Sequence, residues 1–229
     1  WAQGFGAAGS YDANSTVGSA QVEVTSGGGA TGIDIHVTPN LLLGAMLGTT
    51  SAGFALSSLA SSGGSQSLVV GAYGSYTKGP AYLDAALAYG RGSFTTQRYV
   101  STGSLTEQLS GTFGGNQYGG RIEAGWTFGL GRVALSPFGN LTVQALQQDG
   151  YSETARSTTT GAPGLTGLTV QGQTTTSVRS VLGAEFRAVL ELDEQTVLRP
   201  RLRLGWAHEF STYRASTATF AALGPGVPF

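Results

Sequence analysis

Tyr118-Gly119-Gly120-Arg121-Ile122-Glu123-Ala124-Gly125-Trp126-Thr127-Phe128 is the stretch that decides the fold. In an extended chain Tyr118, Gly120, Ile122, Ala124, Trp126 and Phe128 fall on one side, and Gly119, Arg121, Glu123, Gly125 and Thr127 on the other. A period of two residues belongs to a β-strand with one apolar and one polar face. Residues 178–192 repeat it, with Val178, Leu182, Ala184, Phe186, Ala188, Leu190 and Leu192 opposed to Arg179, Gly183, Glu185, Arg187 and Glu191. So do residues 198–210, where Leu202, Leu204, Trp206 and Phe210 oppose Arg199, Arg201, Arg203 and Glu209. Further strands are predicted over 1–9, 25–38, 41–53, 67–77, 81–97 and 133–148, nine in all. Several reach the roughly 9 to 11 residues that a tilted strand needs to cross a bilayer.

The connections alternate in size. Pro39-Asn40, Lys78-Gly79-Pro80, Gly129-Leu130-Gly131 and Asp193-Glu194-Gln195 are short, whereas 10–24, 54–66, 98–116, 149–176 and the chain from 211 are long, most of them rich in Ser, Thr and Gly. Short turns at one end and long loops at the other is the arrangement of an outer-membrane barrel, whose short turns face the periplasm. Composition agrees. Only 11% of the 229 residues are charged and 37 are glycine, against roughly 25% and 7% in ordinary soluble domains, and the mean hydropathy is +0.03. An apolar outer face and a polar lumen average to that value without any long apolar run. The longest such run, 41–47, is far too short for a spanning helix. In hydrocarbon every backbone group must be paired, which leaves an all-β, antiparallel, closed barrel. Tyr76, Tyr89, Trp126, Phe128, Trp206 and Phe210 are expected to form its interfacial girdles.

Other chemistry is sparse. A net charge of −1 offers no field for nucleic acid, and the absence of cysteine excludes disulfides, Cys-based zinc sites and thiol nucleophiles. His36 shares a strand face with Asp34, and His208 precedes Glu209, but neither histidine belongs to a ligand cluster. No nucleophile elbow or phosphate loop occurs, so no catalytic residue, cofactor or metal is assigned. Asn14-Ser15-Thr16 and Asn140-Leu141-Thr142 match a glycosylation pattern that means nothing in a bacterial envelope. The Thr-rich stretch 157–176 reads as a flexible, solvated loop. The residues that carry function are the inward, pore-lining charges: Asp84, Arg121, Glu123, Arg179, Glu185, Arg187, Glu191, Arg199, Arg201, Arg203 and Glu209. They either form a hydrated wall of ion pairs or contact a segment threaded through the lumen and favour anions.

Five segments also resemble a known family: Trp1-Ala2-Gln3-Gly4-Phe5-Gly6, Gly71-Ala72-Tyr73-Gly74-Ser75-Tyr76, residues 79–90, Arg121-Ile122-Glu123-Ala124-Gly125-Trp126 and residues 202–210. In order and spacing they are similar to the β-domain of autotransporters, the type Va secretion translocators of Gram-negative outer membranes. The resemblance implies a twelve-stranded barrel with an N-terminal helix in its lumen, joined to a passenger that is carried to the cell surface. It implies outer-membrane lipids, that passenger and linker helix, and the barrel-assembly machinery as partners of a monomer. The Asn-Asn pair at which some members cut the passenger does not occur.

The chain begins at Trp1 without Met or a leader, and about three further strands are expected beyond it. With nine antiparallel strands the first and ninth run the same way, which predicts an open seam. Phe229, preceded by the turn-like 224–228, reads as a chance match to a terminal assembly signal. Three other readings are a stand-alone porin or adhesin barrel, a barrel hydrolase using Asp34 and His36, and a soluble β-protein.

Overall fold

The computed structural model describes residues 1–14, 20–191, 196–211 and 218–220. Its strands are β1 (Ala2–Tyr11), β2 (Val22–Thr38), β3 (Leu41–Leu56), β4 (Ser61–Lys78), β5 (Ala81–Thr102), β6 (Leu105–Trp126), β7 (Phe128–Leu130) and β8 (Val133–Gln148). There follow β9 (Tyr151–Ser152), β10 (Thr154–Ser157), β11 (Leu168–Val170), β12 (Gln173–Ala188), β13 (Leu190–Glu191), β14 (Val197–Leu198), β15 (Arg201–Glu209) and β16 (Ala218–Phe220). A single 3-10 turn, Ser57–Leu59, is the one helical piece among the described residues. None of them forms a helix long and apolar enough to cross a membrane.

The main sheet is antiparallel and runs β1-β2-β3-β4-β5-β6-β8-β12-β15, with β7 and β10 added along β8 and β6. Its nine long strands are the nine that the period-two pattern predicts. Among the described residues β1 pairs only with β2 and β15 only with β12, so the curled half-barrel has two free edges. The predicted Asp193-Glu194-Gln195 turn, Leu192 and everything beyond Phe220, Phe229 included, lie outside the described residues.

Register fixes the faces. Directly opposed residues share a face, and Asp84, Glu123 and Asn140 are opposed in turn across β5, β6 and β8. Leu87, Ile122, Leu141, Leu182 and Leu204 occupy the other face and are exposed. The described residues hold almost no buried apolar core, only Leu109 and Phe138. A single-layered sheet that leaves its whole apolar face uncovered is built to be covered by lipid, and a soluble β-protein would bury that face. All six predicted girdle aromatics stand on it, 40–64% exposed.

The two ends differ as expected, but much of what reads as loop is strand. At one end tight turns close the hairpins, with Gly79 and Gly131 at φ +59° and +71°, a conformation that only glycine adopts without strain. At the other end β5 and β6 run on for 22 residues each and meet at Gly103, φ +61°, so the expected 98–116 loop is a hairpin. The 54–66 segment likewise pairs β3 with β4 up to Leu56 and Ser61. Above the bilayer neither face needs to be apolar, and the alternation that marks a strand fades while the hydrogen-bond ladder continues.

On the polar face, aromatic rings lie over glycines of the next strand. Tyr73 covers Gly44, Tyr82 covers Gly125 and Phe138 covers Gly183. A Cβ at any of these glycines would collide with the ring, so small residues on one strand make room for large ones on its neighbour.

Candidate functional site

The polar face is concave, as one ion pair demonstrates. Arg203 on β15 donates from Nη2 to Glu123 Oε2 on β6 at 2.6 Å, although β12 and β8 lie between them. Three strand steps measure roughly 14 Å along a sheet, and the pair is also staggered along the strands, so only inward curvature brings the two side chains together. The same guanidinium reaches Glu185 Oε2 at 3.5 Å and lies 3.6 Å above the centre of the Phe138 ring.

Around Arg203 the sequence-predicted charges assemble into one network. Glu123 Oε2 also accepts from Arg121 Nη2 at 2.7 Å and from Asn140 Nδ2 at 3.4 Å, and its Oε1 accepts from Tyr82 Oη at 3.2 Å. Glu185 accepts from Arg201 Nη2 at 2.5 Å and from Arg187 Nε. Both carboxylates are nearly fully buried, while Arg121, Arg187 and Arg201 keep more than half of their side chains exposed. Four guanidiniums meet two carboxylates, so the bonded network itself carries an excess of positive charge, with the Asp84 carboxylate lining the same hollow. Bidentate and shared carboxylates of this kind are satisfied internally and leave cationic edges toward water.

Among the described residues the other predicted site residues form no ion pair with it, although Asp84 shares a hollow with Glu123, Glu185 and Arg203, and Arg179 and Glu209 share another with Arg121 and Arg203. Asp84 is opposite Glu123 in register, and Arg179 is opposite Glu209, on the same concave face. Glu209 accepts instead from Ser177 Oγ at 2.9 Å and the Val178 amide at 3.0 Å. Glu191 is drawn to Arg132 at 3.8 Å on the turn end, where both are exposed, and Arg199 lies between β14 and β15 outside any strand. Asp34 accepts from Tyr73 Oη at 2.8 Å, which in turn accepts from Trp1 Nε1 at 2.6 Å; His36 takes no part. His208 faces outward between Trp206 and Phe210. Among the described residues no group of three His, Cys, Asp or Glu could hold a metal ion.

Residues that sequence reasoning missed close the far end of the concavity. The 149–172 segment is ordered by buried charges rather than solvated. Arg98 pairs bidentately with Glu153, Nε to Oε1 at 2.8 Å and Nη2 to Oε2 at 2.6 Å, and Glu153 also accepts from the Leu168 amide at 2.9 Å. Glu107 accepts from the Thr166 hydroxyl at 2.6 Å and from the amides of Leu165 and Thr166, each at 3.0 Å. Those donors hold its carboxyl below the ordinary glutamate value, with the Thr166 hydroxyl the largest cause. Tyr151 stacks on Phe113 with ring centres 4.4 Å apart, and Phe113 on Phe94 at 5.2 Å. Arg98, Glu107, Leu109 and Phe113 all project from the concave face, so the segment folds over its outer part. The only sequence signal was the few charges, Arg98, Glu107 and Glu153 among them, set in the two Ser/Thr-rich stretches 98–116 and 149–176.

Comparison with known proteins gives the same architecture. The family model described as the autotransporter beta-domain matches residues 1–229. The translocator domain of autotransporter NalP from Neisseria meningitidis superposes with a TM-score of 0.70 at 17% identity, covering 98% of this chain and 76% of that one. The β domain of the Bordetella autotransporter BrkA gives 0.63 at 20% identity, covering 95% and 80%. No curated protein matches the sequence.

Proposed function

The chain belongs to the autotransporter β-domain family, and from that premise we propose how its geometry serves export. Its role is that of an outer-membrane translocator for an N-terminal passenger, working in the envelope of a Gram-negative bacterium, a reading that membership of the family supports. The observation that carries the reading is the two-faced sheet: an uncovered apolar face for lipid, and a concave polar face lined by the network of Arg203, Glu123 and Glu185.

The convex face contacts lipid, and the concave face lines the passage. The cationic edges of Arg121, Arg187 and Arg201 contact the linker or the passing chain, while Glu123 and Glu185 hold them in place. Asp84 lines the same passage directly opposite Glu123, and Arg179 and Glu209 line it further along. Strands from the rest of the barrel pair with the free edges of β1 and β15, because an unpaired edge in hydrocarbon leaves each amide and carbonyl unsatisfied. Those edges are joined during insertion by the barrel-assembly machinery, and the chain acts as a monomer without catalytic chemistry of its own. Passenger folding outside the cell draws the chain through.

The test is surface display. The full-length protein is expressed in a Gram-negative host, and added protease is used to detect the passenger outside intact cells. A protected passenger together with an open, unplugged conductance would favour the stand-alone porin instead.

A further inference from the structure

The convex face of the nine long strands carries three charges: Glu23 at the far end of β2, Lys78 at the turn end of β4, and Arg91 in the middle of β5. Arg91 is exposed and forms no ion pair among the described residues, a cation on a wall otherwise made for lipid. Its position is specific. Tyr89 and Tyr118, opposite each other with ring centres 5.5 Å apart, stand immediately on the membrane side of it. Beyond Tyr118 the outward residues of β6 are Asn116, Gly114, Thr112, Ser110 and Gln108, none of them apolar. Arg91 therefore sits where the apolar band gives way to water, at the depth of lipid headgroups.

The side chain is also held in place. Asn116 Oδ1 accepts from Arg91 Nη1 at 3.0 Å and from Tyr89 Oη at 2.9 Å, and Asn116 Nδ2 reaches Gln147 Oε1 at 3.5 Å. Nη1 is thus used to orient the group, Nη2 lies over Gly114, 3.7 Å from where a Cβ there would stand, and the residue as a whole stays exposed. Leu87, Val70 and Leu68, 70%, 46% and 54% exposed, flank the tyrosines and offer an apolar bed for acyl chains. The Asp149 carboxylate lies over the same Gly114, one step further from the membrane, without forming an ion pair with Arg91 among the described residues.

We propose that Arg91, oriented by Asn116 and framed by Tyr89 and Tyr118, binds the phosphate of a phosphorylated glycolipid in the outer leaflet. The orientation of this end toward the cell exterior rests on the translocator reading given above. An oriented guanidinium beside a low-dielectric wall pairs strongly with phosphate, and acyl chains laid along Leu87 and Val70 favour a lipid over a soluble phosphate.

The test uses the full-length protein, delipidated in a neutral detergent and titrated with purified lipid A, with bound lipid counted by native mass spectrometry. Arg91→Gln is expected to weaken lipid A binding by at least about tenfold, the change expected for one charge-assisted contact, and Arg91→Lys to weaken it less. Asp149→Asn, which removes a nearby negative charge, is expected to strengthen it. Dephosphorylated lipid A binds weakly, and inorganic phosphate at the same concentration does not compete. Equal binding by wild type and Arg91→Gln, both shown folded by their mobility on unheated gels, would overturn the proposal. So would equal binding of dephosphorylated lipid A, or competition by inorganic phosphate. Passenger display is scored on the same strains, so that a failed export reading and a failed lipid site give different results.

Discussion

Arg203 and Glu123, 80 residues apart in sequence and separated by two intervening strands, form a 2.6 Å ion pair across the hollow of the sheet. Because the pair spans β6 to β15, it acts on the curvature of the whole segment and not on one hairpin.

Arg203→Ala is expected to lower stability by about 2 kcal/mol, since it leaves two nearly buried carboxylates short of a partner. Arg203→Lys should recover little, because an ammonium cannot reach both carboxylates and cover the Phe138 ring at once. Urea unfolding midpoints in detergent, followed by gel mobility, measure both. A lysine variant equal to wild type would show that charge alone matters there.

Glu107 makes docking of the 149–172 segment sensitive to acid. A carboxyl held below its ordinary value contributes stability that is complete above that value, about 4.3, and is lost as pH falls through the lower folded-state value. The protection factors of the segment's amides, measured against the intrinsic exchange rate at each pH, should therefore be high at neutral pH and fall in acid. Glu107→Gln should lower them at neutral pH and flatten their pH dependence.

Gly183→Ala and Gly125→Ala are expected to differ. At Gly125 a methyl group meets the Tyr82 ring, which can swing aside, whereas at Gly183 it meets the Leu204 carbonyl of the adjoining strand as well as Phe138. The Gly183 variant should lose about 1–3 kcal/mol, as overpacked sites do, and the Gly125 variant less. Comparative unfolding in one detergent decides it.

Charge on the convex face separates the two faces functionally. Ile122→Arg places a guanidinium on the apolar band midway between Tyr118 and Trp126 and should cost about 2–4 kcal/mol, as charges near the bilayer middle do, whereas the concave-face change Arg121→Leu should cost less. The yield of membrane-inserted protein compares them, and equal yields would contradict the assignment of faces.

The nine strands were legible because each must present a two-residue alternation wherever one face meets lipid; residues 118–128 carry it without interruption. The upper halves of β5 and β6 were not, because in water Ser, Thr and Gly satisfy both faces. The charges of the site could be read as inward, since Arg201 and Arg203 share the polar face with Glu209. Their partners could not. Whether Arg203 meets Glu185 alone or also Glu123 depends on register and curvature, which no local pattern encodes. Phe138, an aromatic residue on the polar face, is explained only by Gly183 on the adjoining strand. The Thr-rich stretch 157–176 resembled a solvated loop because the order of the 149–172 segment comes from Arg98 and Glu107, some 50 to 60 residues earlier.

The long β5–β6 hairpin alters where the protein meets the outside world. From Gln117 out to Leu105, β6 has thirteen residues above the tyrosine girdle, roughly 40 Å measured along the strand. It stands as a chimney, clear of the headgroups. Its inner wall is covered by the 149–172 segment through Arg98, Glu107 and Phe113, so what the chimney carries clear of the lipid is a folded cap on the concavity and not a bare pair of strands.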